Sequence, residues 1–568
     1  MSGTSNNGKE AVRLCEQIVR QAFGDVVCRV ASTLLNRGRL PSSTIARLSA
    51  LQKPTALAAL LILIQHDLVQ SNGASYKETG EEEQYEFDVM GCLLRLRWGR
   101  ILALTHQRMD DVALEVVRTI MIYGKIRVPD IIAACGGEHD ARRAVVINDT
   151  LIALVRAQFI RPTGPEMHIL ESDQVARRFA SHRRQMIMNK GTAMLSAQEL
   201  ENCQLKAAHE VREEREDLQD IRRVLVERAK VDKDKKKRKG KTAAAGAEEF
   251  DYELKTDIHL RVNYDRYGIL IRNELIVKAA EDRWNKGAAV VVRAILDAAL
   301  KETSVLKDDR THDSVGVNEI VDRIPHKDYP LLLAGLAVST KTTVPELVRS
   351  YLSVLAGEDQ MGGSGAFLQR EGSTNPGYKI ELEAICVKLR ENLLSQLVRE
   401  KLGDKAARVL AVVSKSSKAF ETTVRDCAML PLRDARMQLA ELQKLSLVET
   451  QEVPKTAAKS RAGLPPSAEY HLWAVDLPRV YGVLLTSVYK TLGNILQRKA
   501  KEIERKKVVL ARETRVENHE GGRGLLQLKD QEDLLELDDA LNKLTLAETR
   551  SDLVVFILRD LPGWPGQK

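Results

Sequence analysis

The sequence predicts a mainly α-helical protein with small β wings, in which four tandem (extended) winged-helix domains precede a C-terminal antiparallel coiled-coil hairpin. Three observations support this prediction. A group of three helical segments followed by strand-like segments recurs along the chain. The first two groups share a break between helices, a glycine followed by a basic and an apolar residue, at Gly38 and Gly124. Two long amphipathic patterns fill the C-terminal part.

The first group occupies the N-terminal part of the chain. Residues 9–36 form a long helical pattern, which a glycine ends. Helical patterns follow at residues 44–48 and 53–67, and the apolar composition of the second one predicts that it is buried. Strand candidates at residues 74–77 and 85–89 flank a polar tip, so a two-stranded wing is expected.

The second group repeats this order and leads into a charged stretch. Its helical segments are residues 112–123, 129–135 and 142–157. A helix rich in Glu and Arg is then expected to extend over residues 200–231. The next stretch is strongly basic at its start, and its low-complexity composition predicts a disordered linker over residues 232–249.

Two further groups follow the basic stretch, and each has a long wing loop. The wing loops are expected at residues 357–377 and 454–468. The helical segments of the two groups lie, in order, at residues 287–301, 317–323, 344–355, 406–413, 421–427 and 432–444.

The C-terminal patterns are two amphipathic helices. Residues 477–515 and 525–546 are separated by a glycine-rich turn, which predicts an antiparallel hairpin. Leucines with 3-4-3 heptad spacing in the second helix indicate a coiled coil, and an ordinary pair of terminal helices is the alternative. The residues expected to form its assembly core are Leu484, Val488, Ile495, Leu534 and Leu541.

The length of the chain fits this domain count, since 568 residues correspond to roughly four domains. Alternation of the patterns sets the expected boundaries. They are residues 1–95, 96–190, 250–383 and 384–476 for the winged helices, 191–231 for the charged helix, 232–249 for the basic linker, and 477–568 for the hairpin and C-terminal tail.

Composition and motifs argue against several function classes. The seven cysteines are far apart and form no CxxC pair, so neither a metal site nor another cofactor is expected. The sequence has no GxxxxGK[ST] loop and no GxSxG motif, so no catalytic residue is expected. The most apolar run, residues 60–64, is far shorter than the ~20 residues of a membrane span. With no secretory signal pattern, the cytosol or the nucleus is expected.

The third helix of each group carries few side chains that read bases. Sequence-specific DNA recognition needs Arg, Lys, Asn or Gln at this place, so it is not expected. Lysines and arginines in loops can instead contact phosphates. A solvated linker or a nuclear import signal is the alternative for the first basic run, and an exposed loop for the second. The candidate DNA-binding residues are Lys233, Lys235, Lys236, Lys237, Arg238, Lys239, Lys241, Lys455, Lys459 and Arg461.

The order of these units resembles that of one known family. The similarity is carried by residues 94–106 (LRLRWGRILALTH), 260–284, 430–449 and 468–499, and it extends over nearly the whole chain. The sequence is similar to the large winged-helix subunit of the heterotrimeric subcomplex specific to RNA polymerase III. That subunit is related to the alpha subunit of polymerase II general factor E.

The resemblance implies a non-catalytic polymerase subunit in the nucleus that supports transcription initiation and promoter opening. The implied partners are two smaller polymerase III-specific subunits, one winged-helix and one acidic, the polymerase clamp, and the TBP-containing initiation factor. Promoter DNA would be contacted without strong sequence specificity, and no membrane partner is implied. The resemblance also implies that the winged helices pack around the coiled coil. A scaffold subunit of another large nuclear complex, without direct DNA contact, is the alternative.

Overall fold

A computed structural model describes most of the chain as helices with small antiparallel sheets. The described residues are 8–73, 82–137, 140–190, 195–220, 223–228, 251–300, 305–311, 313–335, 343–357, 367–372, 377–454, 469–516, 524 and 526–564. They form two compact units. The first consists of Met1–Tyr267 and Gly493–Thr549, and the second of Gly268–Leu492 and Arg550–Lys568.

The first winged helix opens the first unit. Its strands form a three-stranded antiparallel sheet in the order β1-β3-β2. The first wing strand was expected at residues 74–77, which lie outside the described residues. The structure has a strand before them, beginning at Val69. Asp67 adopts a left-handed conformation (φ 56°) that ends the third helix and redirects the chain. The elements are α1 (Lys9–Arg37), β1 (Leu40–Pro41), α2 (Ser42–Leu48), α3 (Lys53–Gln65), β2 (Val69–Ser71) and β3 (Gln84–Phe87).

The second group of three helices takes one strand of its sheet from far along the chain. Its sheet has the order β4-β8-β5, and Leu260 of β8 lies opposite Ile126 and Pro162. Residues 259–262, expected in the third winged helix, therefore complete the second sheet. The elements up to this strand are α4 (Val89–Leu94), α5 (Trp98–Arg108), α6 (Asp111–Tyr123), β4 (Ile126–Arg127), α7 (Val128–Ala134), α8 (Ala141–Arg156), β5 (Ile160–Thr163) and, after an insertion, β8 (His259–Val262).

The insertion between β5 and β8 contains two helices and a β-hairpin. Helices α9 (Glu171–Lys190) and α10 (Ala197–Gln219) pack together. The charged helix expected over residues 200–231 thus ends at Gln219. Strand β6 (Leu225–Arg228) follows and pairs with β7 (Asp251–Leu254). Because β-branched Val224 and Val226 favour extended backbone, the chain leaves the helix here.

The third group of helices lies in the second unit and has its own apolar core. Its sheet has the order β10-β11-β9. Thr343 and Glu346 form a capping box that starts the third helix of the domain. The elements are α11 (Tyr264–Arg283), α12 (Lys286–Ala299), β9 (Val315–Gly316), α13 (Val317–Arg323), α14 (Tyr329–Ala334), α15 (Val344–Ala356), β10 (Leu368–Glu371) and β11 (Gly377–Ile380).

The fourth winged helix follows a long connecting helix. Its two wing strands pair over their full length, from Glu449 opposite Ala474 to Pro454 opposite Glu469. Ala419 adds an isolated bridge to Trp473. The elements are α16 (Leu382–Leu402), α17 (Asp404–Lys415), α18 (Glu421–Ala428), α19 (Leu432–Lys444), β12 (Glu449–Pro454) and β13 (Glu469–Ala474).

In the described residues after β13, the chain forms three α-helices. The single helix expected over residues 477–515 is divided into α20 (Leu477–Arg505) and α21 (Lys507–Val516), and α22 (Leu528–Val555) extends beyond the expected end at residue 546. Lys499 pairs with Glu548, and Arg512 pairs with Asp530 at 2.9 Å. The order of these ion pairs shows that α22 runs antiparallel to α20 and α21 in the first unit.

Across the described ranges, no single helix is long and apolar enough to cross a membrane. The bent pair formed by α2 and α3, at an angle of 110°, passes the same test of length and composition only when taken together.

Candidate nucleic-acid interface

The first basic segment joins the two strands of a hairpin. Its candidate residues, Lys233, Lys235, Lys236, Lys237, Arg238, Lys239 and Lys241, lie outside the described residues. The flanking strands are described: Arg228 at the end of β6 lies opposite Asp251 at the start of β7. The segment was expected to link two domains. It instead connects two paired strands within the first unit.

The second basic segment also connects two paired strands. Lys455, Lys459 and Arg461 are outside the described part of the chain. Pro454 of β12 lies opposite Glu469 of β13, so the loop begins and ends at adjacent strand ends. The second segment therefore joins the wing strands β12 and β13, whereas the first joins a separate hairpin, β6–β7, inserted between β5 and β8. These two loops are called the basic wings below, and lysines and arginines in such loops can contact phosphates.

The third helices of the winged helices expose apolar side chains. Leu61 of α3 is 66% exposed and Leu57 is also exposed, although the sequence predicted a buried helix. Helix α8 exposes Val145 and Val146, and α19 exposes Met437. Aliphatic side chains cannot form the hydrogen bonds that read base edges. These surfaces are better suited to protein contacts than to the major groove.

The expected assembly residues of α20 border its buried face. Leu484, Val488 and Ile495 are only partly buried, whereas Leu485 and Leu492 are buried. The buried face is thus shifted by about one residue from the predicted one. Its position was ambiguous because apolar residues occupy three consecutive places, 483–485, so helical spacing does not select one of them.

The expected assembly residues of α22 differ from each other in burial. Leu534 is 2% exposed, and Leu537 one turn later is buried as well. Leu541 is partly buried. The heptad spacing therefore coincides with a buried stripe in the N-terminal half of α22.

A buried charge cluster connects the first winged helix to the second group of helices in the first unit. Asp67, directly after α3, accepts from Lys125 Nζ at 2.5 Å and from Arg261 Nη1 at 3.1 Å. Lys125 precedes β4, and its side chain is 6% exposed. Burial alone would raise the pKa of Asp67, but the charges of Arg261 and Lys125 outweigh it and lower the pKa. One carboxylate is therefore shared by two cations, and the three groups together keep one positive charge.

Arginines from neighbouring strands meet in the same cluster. Arg161 of β5 lies opposite Arg261 of β8. Arg161 Nη1 donates to Gln219 Oε1 at 2.8 Å and to Asp265 Oδ2 at 3.0 Å. Burial, with Arg261 nearby, lowers the pKa of Arg161 to about 10, so the guanidinium keeps its charge at neutral pH. Two like charges directly across a strand pair need such partners to be tolerated.

Two histidines beside the cluster are held neutral. Burial, assisted by nearby cations, lowers the pKa of both His66 and His168 to about 4. His168 Nδ1 lies 2.9 Å from Lys125 Nζ, and a neutral imidazole nitrogen can accept a hydrogen bond from this ammonium group. The two histidines therefore add no positive charge to the cluster at neutral pH.

Two short sequence segments, each with an arginine between apolar residues, already indicate this cluster. Arg161 and Arg261 each lie between apolar residues in short segments, Ile-Arg-Pro and Leu-Arg-Val. A basic residue inside a buried strand pattern indicates a partnered charge. The pairing of the two strands, about a hundred residues apart, is what brings the arginines together.

The described residues contain no candidate metal site. No three or more of their His, Cys, Asp or Glu side chains form a group that could hold a metal ion. All seven cysteines are free thiols, and six of them are buried.

Comparison with known proteins was made for the whole sequence. Residues 149–362 match the family described as RNA polymerase III subunit RPC82. Residues 13–71 match its helix-turn-helix domain, and residues 394–475 match the C-terminal winged-helix domain of POLR3C.

Full-length relatives give the same result. The DNA-directed RNA polymerase III subunit RPC3 of Danio rerio is 22% identical, covering 97% of this chain and 97% of the relative. The protein of that name from Homo sapiens is 22% identical, with 96% and 97% covered. The rpc3 subunit of Emericella nidulans is 24% identical, with 97% and 99% covered. These matches support an RNA polymerase III subunit of the RPC3 type, also described as RPC82, and the relatives of that name are not the catalytic subunit of that polymerase.

Proposed function

We propose that this subunit acts in the nucleus, within a heterotrimer of RNA polymerase III, and supports promoter opening through contacts with DNA phosphates from its two basic wings. The heterotrimer contains a winged-helix subunit and an acidic subunit, and it meets the polymerase clamp and the TBP-containing initiation factor. The observation that carries the proposal is the place of both basic segments, each joining the ends of two paired strands.

The surface of the third helices supports a division of roles. Apolar side chains such as Leu61 and Val145 are exposed where a base-reading protein has hydrogen-bonding groups. These helices would contact neighbouring subunits, while the wings contact DNA without strong sequence preference. Lysine and arginine suit this task because they neutralise phosphates without fixed geometry.

The C-terminal helices support the assembly part of the proposal. We infer that α20, α21 and α22 form a coiled-coil hairpin around which four winged helices pack. The antiparallel order of the Lys499–Glu548 and Arg512–Asp530 pairs agrees with such a hairpin. A scaffold without DNA contact shares this architecture, so the wings distinguish the two functions.

Charge reversal in the fourth wing tests the DNA role. Changing Lys455, Lys459 and Arg461 to Glu is expected to reduce crosslinking of this subunit to promoter DNA in the assembled polymerase about tenfold. Each lost phosphate contact should also reduce the slope of log affinity against log salt by about 0.9. Crosslinking yield and salt titration measure the two effects.

A matched variant controls for the change in net charge. Lys388, Lys444 and Lys543 lie on exposed helix surfaces beside a nearby acid on the same helix. Changing these three to Glu should leave crosslinking near the wild-type level. Equal loss in both variants, or no loss in the wing variant and in a Lys235–Lys239 charge reversal, would favour the scaffold function.

Two neighbouring leucines of α22 test the assembly role. Leu534→Asp places a carboxylate at a buried position and should destabilise the helix packing by about 3 kcal/mol or more. Leu535, next to it, is 65% exposed, so Leu535→Asp should change stability by less than about 0.5 kcal/mol. Co-purification of polymerase subunits with each variant is the measurement. If both variants are incorporated equally, the α22 stripe is not needed for assembly.

A further inference from the structure

A cavity in the first unit lies beside the charge cluster. Its volume is about 180 Å³, and it lies where the end of α3 meets the second sheet and α10. Four arginines and three aspartates are among the residues that line it. They are Arg95, Arg161, Arg215, Arg261, Asp67, Asp88 and Asp265.

The aspartates leave part of the positive charge in this cavity unbalanced. Asp67 is shared between Arg261 and Lys125, which has no other carboxylate partner described. Asp88 caps α4 by accepting from the Met90 amide. Among the described acids, Asp265 pairs with Arg161, and its side chain is half exposed. With Lys125, the four arginines give five positive charges against the four negative charges of the three aspartates and of Glu171 beside Arg215, so one positive charge is in excess.

Among the described residues, neither Arg215 nor Arg95 has a carboxylate within hydrogen-bond distance. Arg215 donates to Gln174 Oε1 at 2.8 Å and to the Ile169 carbonyl at 2.6 Å, and Glu171 is 3.9 Å away. Arg95 stacks on the rings of Trp98 and Phe23. Both side chains thus keep their positive charge near the cavity while being positioned by neutral groups.

Hydrogen-bond donors in the cavity wall also lack acceptors. The Nε atoms of Arg161 and Arg261 are buried, and neither has a hydrogen-bond acceptor among the described residues. A buried guanidinium nitrogen without an acceptor is costly, by about 1–3 kcal/mol. Burial and the neighbouring Arg261 lower the pKa of Arg161, as expected where positive charge is in excess.

We propose that this cavity binds a phosphate-type oxyanion between Arg161, Arg261 and Arg215. Guanidinium groups recognise such anions by paired hydrogen bonds, and an anion would balance the excess charge and accept from the buried Nε donors. The anion would connect β5, β8 and α10. Its source is free phosphate or a phosphate at a nucleic-acid end. None of the residues that line the cavity belongs to the two basic wings, so the proposal does not depend on their contacts with DNA.

Calorimetric titration of the full-length chain with inorganic phosphate tests the proposal. One saturable site is expected in a HEPES buffer, with no equivalent heat from sodium chloride at matched ionic strength. Arg161→Gln and Arg261→Gln should each weaken phosphate binding by about tenfold or more. Arg143→Gln, which removes an exposed arginine paired with Glu115, should bind phosphate like the wild type.

A second variant separates binding from folding. Arg161→Lys keeps the charge but loses the planar fork, so it should fold, as circular dichroism can verify, and still bind phosphate several-fold more weakly. Titration with a 5′-phosphorylated dinucleotide and with its unphosphorylated form distinguishes the two sources of the anion. Absence of saturable binding for both phosphate ligands, or wild-type affinity in folded Arg161→Gln and Arg161→Lys, would overturn the proposal.

Discussion

Asp67→Asn is expected to lower the free energy of unfolding of the first unit by about 3–5 kcal/mol. The amide cannot carry the charge that neutralises Lys125 and Arg261, and both cations are largely buried. Removing one partner from a buried ion network costs more than the network contributes, because the remaining charges are left without compensation. Denaturant unfolding measures the loss, and hydrogen exchange locates it at the end of α3 and in β8.

The dependence on pH gives this prediction a second readout. The pKa of Asp67 is lowered in the folded protein, so its ionised form stabilises the fold above the ordinary pKa of an aspartate, near 4. This contribution is lost as the pH falls through the folded-state pKa. The difference in stability between wild type and Asp67→Asn should therefore be full at pH 7 and shrink below about pH 4.

A surface aspartate in the same unit provides the control. Asp130 pairs with Arg127 at 3.0 Å, and both side chains are about half exposed. Asp130→Asn should change stability by less than about 1 kcal/mol because exposed ion pairs contribute little. If Asp67→Asn is as mild as this control, the charge cluster does not hold the two winged helices together.

Local sequence patterns predicted most of the helices because helix formation depends mainly on residues that are close in sequence. The third helix of the fourth winged helix, residues 432–444, has the predicted ends, and the short helix at residues 317–323 does as well. Helix spacing and capping signals act within a few residues, so one sequence is enough to find them.

The strands and the charge cluster depend on contacts that local patterns do not contain. β8 belongs to the second sheet because Leu260 and Val262 fill that core, although its neighbours in sequence form the third winged helix. The partners of Asp67 lie about 60 and 190 residues further along the chain. The entropic cost of closing a loop grows only slowly with its length. Separation in sequence therefore does not determine which strands pair.

The second large effect is expected at Arg390 in the second unit. Arg390 of α16 is 1% exposed, and its guanidinium donates to the carbonyls of Ile557, Leu561, Pro562 and Gly563. The distances to the Ile557, Pro562 and Gly563 oxygens are 3.0, 2.8 and 2.9 Å. These carbonyls belong to the π-helical turn (Phe556–Asp560) and the residues after it, where the backbone has no helical donors left.

Arg390→Met is expected to release this C-terminal segment and to cost about 3–5 kcal/mol of stability in the second unit. Methionine fills a similar volume but donates no hydrogen bond, so several buried carbonyls lose their partner at once. Gly563, at φ 76°, packs its backbone against Glu383 and Val387 of α16, and this approach should be lost as well. Hydrogen exchange of residues 556–564 and limited proteolysis are the measurements.

Two variants determine whether the hydrogen bonds or the apolar contacts hold the segment. Arg399→Met, on the same helix, removes an exposed arginine paired with Asp404 and should change stability by less than about 1 kcal/mol. Arg390→Lys should be intermediate because an ammonium group reaches fewer carbonyls than a planar guanidinium. Unchanged protection of residues 556–564 in Arg390→Met would mean that burial of Phe556, Leu558 and Leu561 is sufficient. In that case the carbonyl contacts of Arg390 would serve mainly to satisfy a buried charge.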